Sequence, residues 1–164
     1  PPYHSIHSPQ LPGPQAPGPS GRNMKMYEYT GPWPWRNFRP AELACRCCGE
    51  LWSDDGEASG IDPTDMPEWF ADAVDALQSL RDAWGEPVVI TSGHRCAKHN
   101  AEVGGAEGSR HLRVAFDCIM PAARQAAFIE QARRAGFRGV GRYPRRGFVH
   151  LDLGTAREWR GDNP

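Results

Sequence analysis

Helical periodicity and short apolar runs alternate along this chain without a regular strand-helix repeat, and that irregular interleaving is what most limits its fold. Phe70, Val74, Leu77 and Trp84 recur at spacings of four, three and seven, the stripe of an amphipathic helix from about Pro67 to Trp84, which Gly85 then stops. Val88, Val89 and Ile90 form a short continuous apolar run within 87–91, as expected of a buried strand. A polar, glycine-bearing stretch from Ser92 to Arg110 reads as a long loop. Val114 to Met120 predicts a second strand. Pro121 to Ala135 predicts a helix with its proline in the first turn and Ala126, Ile129 and Ala132 or Ala135 facing inward. Gly139–Tyr143 and Phe148–Leu153 read as a hairpin closed by Pro144-Arg145-Arg146-Gly147. The expected class is α+β, with a small, mainly antiparallel sheet flanked by helices.

Outside these elements the text is less regular. Residues 1–23 are proline-rich and begin Pro-Pro, so they are expected to form a flexible tail, with Met24 or Met26 as a natural start and residues 24–164 as one domain. Trp33 to Trp52 is aromatic and broken by proline. It predicts a segment wrapped over the domain and anchored by Phe38, Leu43 and Trp52. Residues 53–65 read as an acidic loop leading into the helix.

A formal net charge of -1 over 164 residues gives no reason to expect nucleic acid as a partner. No window is apolar enough to span a membrane, and no export signal is legible near the start. A monomer is expected. The five cysteines are an odd count, with Cys45, Cys47 and Cys48 crowded together and Cys96 and Cys118 elsewhere, which is not a disulfide framework. Reduced, partly buried thiols are the expectation. A metal site on Cys45 and Cys48 would need two further ligands from Cys96, Cys118 or a histidine.

A hydrolytic zinc site needs three histidine or carboxylate ligands and an open position for water. His111, Asp117 and His150 offer such a set near the C-terminus. Around them stand Ser92-Gly93-His94-Arg95, Asn100, Val103-Gly104-Gly105-Ala106, Ser109-Arg110-His111 and Ala115-Phe116-Asp117. Val140-Gly141-Arg142-Tyr143-Pro144, Phe148 to Gly154 and Arg157-Glu158-Trp159 follow. In this order the blocks closely resemble the zinc D-alanyl-D-alanine carboxypeptidase and murein endopeptidase family, whose fold is shared with the hedgehog signalling domain.

The resemblance runs from about Phe38 to Trp159 and implies a zinc peptidase acting on peptidoglycan stem peptides at the bacterial cell wall. It implies that His111, Asp117 and His150 are the metal ligands, that Arg95 grips a substrate carboxylate, and that Ser109 lines the substrate pocket beside His94. Some relatives carry a glutamate three residues before the last ligand as general base, others a histidine two before it. Here those positions are Gly147 and Phe148. Asp152, on the same strand face as His150, is the candidate base, with His94 and His99 as alternatives. The absent export signal fits a phage lysis protein or a cytoplasmic precursor.

One departure bears on the ligands. The family spaces its first histidine and aspartate seven apart, in the form Ser-x-His-x-x-Gly-x-Ala-x-Asp, whereas His111 and Asp117 are six apart. Accepting a missing glycine after Arg113 selects Asp117; refusing it selects Cys118, because a one-residue slip in a strand exchanges faces. The shortened motif also keeps open a weakly active or inactive wall-binding or virion-associated module with the same fold.

Overall fold

The computed structural model describes residues 29–53 and 65–161; the tail expected at 1–23 and most of the acidic loop lie outside them. In chain order the elements are α1 (Pro40–Leu43), α2 (Glu68–Trp84), β1 (Ile90–Ser92), α3 (Ala97–Glu102), a 3-10 turn (Arg110–Leu112), β2 (Phe116–Ile119), α4 (Ala122–Arg134), β3 (Gly139–Tyr143), β4 (Phe148–Asp152) and β5 (Arg157–Arg160). The strands form one sheet in the order β1-β2-β4-β3-β5. Its pairings are antiparallel except the parallel pairing of β3 with β5. The chain is α+β, as its irregular interleaving implies.

The sheet has two faces of opposite character. Side chains alternate along a strand, and Phe116, Cys118, Val149 and Leu151 enter the core with Phe70, Val74, Leu77 and Leu80 of α2 and Phe128, Ile129 and Ala132 of α4. Each large apolar side chain buried there contributes roughly 1.5–3 kcal/mol. Asp117, His150 and Asp152, the residues between, belong to the other face. Phe38, Leu43 and Trp52 are buried in the same core, so the N-terminal segment is anchored as expected. It contains α1, and the Trp35 indole donates to Asp75 of α2 at 2.7 Å.

α2 ends where expected because Gly85 takes the left-handed conformation at φ 76°. Gly147, at φ 72°, closes the β3–β4 turn, its N–H donating to the Tyr143 carbonyl at 2.8 Å.

Three expectations are corrected. Ala126 is exposed. α4 instead turns Gln125 inward, where its amide donates to the carbonyls of Met120, Tyr143 and Phe148 at 3.0, 3.3 and 3.2 Å and so satisfies strand-end acceptors that an alanine could not. The 92–110 stretch carries α3 and the 3-10 turn. β5 was not expected, since Arg-Glu-Trp-Arg has little apolar content and pairs along the sheet edge largely exposed.

Candidate metal centre

β2 and β4 pair so that Asp117 lies directly opposite His150. His111 reaches the same point from the 3-10 turn, whose N-cap Ser109 accepts from the His111 N–H at 3.3 Å. The three donor atoms form a compact triangle. His111 Nε2 is 3.1 Å from His150 Nδ1 and 3.2 Å from Asp117 Oδ1, and His150 Nδ1 is 3.1 Å from Asp117 Oδ1. Tetrahedral nitrogen and oxygen ligands of zinc stand about 3.3 Å apart, so a small expansion separates this triangle from a zinc-ligating one.

The surroundings fix which ring nitrogens carry protons. His111 Nδ1 lies 2.6 Å from the Gly93 carbonyl, which can only accept, so Nδ1 is the protonated nitrogen and Nε2 turns a lone pair inward. His150 Nε2 lies 2.9 Å from Asp152 Oδ2, so it donates there and Nδ1 faces inward. Two imidazole nitrogens and a carboxylate oxygen thus converge in a buried space, a donor set whose chemistry fits a divalent cation, and that is the observation on which these residues fit a metal.

Titration follows the same logic. Burial opposes charge on His150, but its bonds to Asp117 and Asp152 outweigh this and raise its pKa. Burial lowers His111 despite Asp117 beside it. Burial also acts to raise Asp117, yet the two histidines hold it well below the ordinary carboxylate range.

Cys118 does not compete for the second ligand position. It is fully buried on the opposite face, level with Val149, and burial pushes its thiol far up. The register of β2 therefore places Asp117, and not Cys118, beside His111 and His150.

Other expected residues take less expected places. Asp152 sits behind His150, on the far side of the ring from the donor triangle. Its Oδ1 accepts from the Gly154 N–H at 2.8 Å, and Arg157 donates to Oδ2 at 2.7 Å and to Oδ1 at 3.2 Å. Burial acts to raise its pKa, but His150 and Arg157 bring it down to about 2. So engaged and so placed, it orients His150 and is out of reach of a water at the triangle, which corrects the expectation of a base. His94 is also corrected: it is 1% exposed, its Nδ1 lies 3.2 Å from the Arg113 carbonyl, and burial lowers its pKa to about 4. It underlies the site and cannot meet substrate or accept a proton from it. His99, the other alternative, turns its Nδ1 to Cys45 Sγ at 3.4 Å.

Arg95 lies beside the donors. It donates to Asp117 Oδ2 at 2.7 Å and, through Nε, to Ser92 Oγ at 2.7 Å. The triangle opens into a cavity of about 460 Å³ lined by Arg95, Ser109, Arg110, Arg146, Arg157 and Trp159, among others. Sequence reasoning did not single out Arg110, Arg146 or Arg157 as lining this cavity. Scattered arginines are the default of a surface, and only folding gathers them. Trp159 lies with its ring centroid 5.1 Å from that of His150, its indole donating to the Tyr143 hydroxyl at 3.0 Å. A side chain at Gly141 would collide with that indole. No helix among the described residues is long and apolar enough to cross a membrane.

A family model described as Peptidase M15 matches residues 36–152. The peptidoglycan L,D-endopeptidase MepK of Escherichia coli K12 is 38% identical over 98 residues, covering 52% of this chain and 51% of the relative. The proteins of the same name in Escherichia coli O157:H7 and Shigella flexneri match equally. The chain spans about half the length of these curated relatives.

Proposed function

Since the chain belongs to the peptidase M15 family, a family of metal-dependent peptidases, we propose that it is a zinc-dependent hydrolase of peptide bonds in bacterial peptidoglycan, acting at the cell wall. The observation that carries this reading is the convergence of His111 Nε2, Asp117 Oδ1 and His150 Nδ1, 3.1–3.2 Å apart, at the wall of an arginine-lined cavity. A zinc ion held by these atoms supplies Lewis-acid polarisation of a carbonyl and a water acidified to a pKa of about 7.

The remaining work falls to the protein. The Gly93 carbonyl and Asp152 hold the two imidazoles in their ligating tautomers. Arg95 fixes the Asp117 carboxylate and, with Ser109, faces the cavity. Stem peptides end in carboxylates, and guanidinium groups from Arg95, Arg110 and Arg146 suit them by charge and by paired N–H donors. The tilted Trp159 ring walls one side of the cavity and shields His150 from water.

One observation favours a second reading, a wall-binding module that does not turn over. Apart from the three donors, no carboxylate or histidine lines the cavity among the described residues, so no side chain there is evident as general base. Digestion of purified peptidoglycan, followed by mass spectrometry of the released fragments, separates the two. Fragments released by the zinc-loaded wild-type protein and not by His150→Ala support the hydrolase. Zinc bound at the triangle with no fragment release rejects it in favour of the binding module.

A further inference from the structure

The cysteines left aside by the peptidase chemistry are not scattered. Cys45, Cys47, Cys48 and Cys96 bring their sulfur atoms to within 4.8 Å of one another, although Cys47 and Cys96 are 49 positions apart. The local backbone makes this possible. The Gly49 N–H donates to the Cys45 carbonyl at 2.8 Å and the Cys45 N–H to the Glu50 carbonyl at 2.7 Å, so residues 45–50 double back and turn three thiols to one side. Cys96 arrives from the start of α3, the His94 N–H donating to the Leu43 carbonyl at 2.8 Å. Gly93 passes too close to Leu43 for any side chain.

We propose that Cys45, Cys47, Cys48 and Cys96 hold a second, structural zinc ion, which fastens the segment after α1 to the loop carrying Arg95. Tetrahedral thiolates with zinc–sulfur bonds of about 2.3 Å place sulfur atoms about 3.8 Å apart, within the observed spread. Two sulfurs are already 3.3 Å apart, Cys47 and Cys96. The Cys96 N–H donates to Cys45 Sγ at 3.4 Å, and His99 Nδ1 lies 3.4 Å from the same sulfur. Such bonds support a thiolate ligand. Four sulfurs leave no open position, so the role is structural. Cys96 follows Arg95 directly, so the ion fixes the backbone that presents this arginine to the cavity.

The inference stands independently of the peptidase reading, and cobalt substitution of the full chain, purified under reducing conditions, tests it. His150→Ala, which lacks a ligand of the other centre, is expected to bind cobalt with an intense sulfur-to-metal charge-transfer band in the near ultraviolet and to retain about one zinc per chain. Cys47→Ser combined with Cys96→Ser should lose that band. Cys48→His, which keeps four ligands, should retain a weakened one. Absence of the band in His150→Ala overturns the proposal, and so does a mass showing these cysteines joined as disulfides in the reduced preparation.

Discussion

His111, Asp117 and His150 meet because two of them are register partners on neighbouring strands and the third is capped into a short turn. Cys45, Cys47, Cys48 and Cys96 meet because an irregular loop folds back against the start of a short helix. In the first cluster every ring is oriented from behind, by Gly93 or by Asp152, before any ion arrives. In the second, orientation comes mainly from backbone N–H groups, and two of the four thiols are partly exposed. Preorganisation on paired strands suits a centre whose geometry decides a reaction, whereas a loop cluster suits an ion that holds chain segments together.

The largest effect should separate the two clusters. His150→Ala is expected to bring peptidoglycan digestion to background while the melting temperature of the zinc-loaded protein falls only moderately. The double cysteine variant should do the reverse, losing several degrees of melting temperature and keeping measurable digestion. Equal loss of digestion in both, at a temperature where both are folded, would break the distinction.

Asp152→Asn comes next. It replaces a carboxylate by an amide that orients His150 less well, and zinc affinity measured by chelator competition should fall about 10–100-fold. Arg95→Lys keeps the charge but loses the fork, and kcat/KM should drop about tenfold, or ~1.4 kcal/mol. A drop confined to KM assigns Arg95 to substrate; one shared by zinc affinity assigns it to Asp117. The smallest effect concerns acid stability of the metal-free protein. Asp152 is depressed to about 2 in the folded state, so its contribution is present above the ordinary carboxylate value of about 4 and is lost as pH falls through 2. Acid unfolding followed by circular dichroism should therefore be shallower over that window in Asp152→Asn than in the wild type.

Much of this was legible in the sequence, for physical reasons that differ by residue. The α2 stripe of Phe70, Val74 and Leu77 is buried as its period requires, and Gly85 ends the helix because few other residues adopt its backbone conformation. His111 and His150 stand within well-matched blocks. Asp117 was legible only with an alternative, since a six-residue spacing leaves Asp117 and Cys118 on opposite strand faces, and pairing with β4 decides between them. Asp152 was read on the correct face but its task was not, because same-face position does not reveal which end of the imidazole it meets. Ile129 and Ala132 of α4 are buried as expected, and only Ala126 was misplaced, an error that arises when a buried glutamine, Gln125, does the work of an apolar residue. β5 and the cavity arginines left no periodic signal, and the cysteine cluster is completed by a residue remote in sequence.

The most direct test of the central claim is a zinc-edge anomalous difference map from crystals of the zinc-loaded protein. A peak enclosed by His111 Nε2, Asp117 Oδ1 and His150 Nδ1 is the predicted result. A map with no peak there, whether or not one appears among the cysteines, contradicts it.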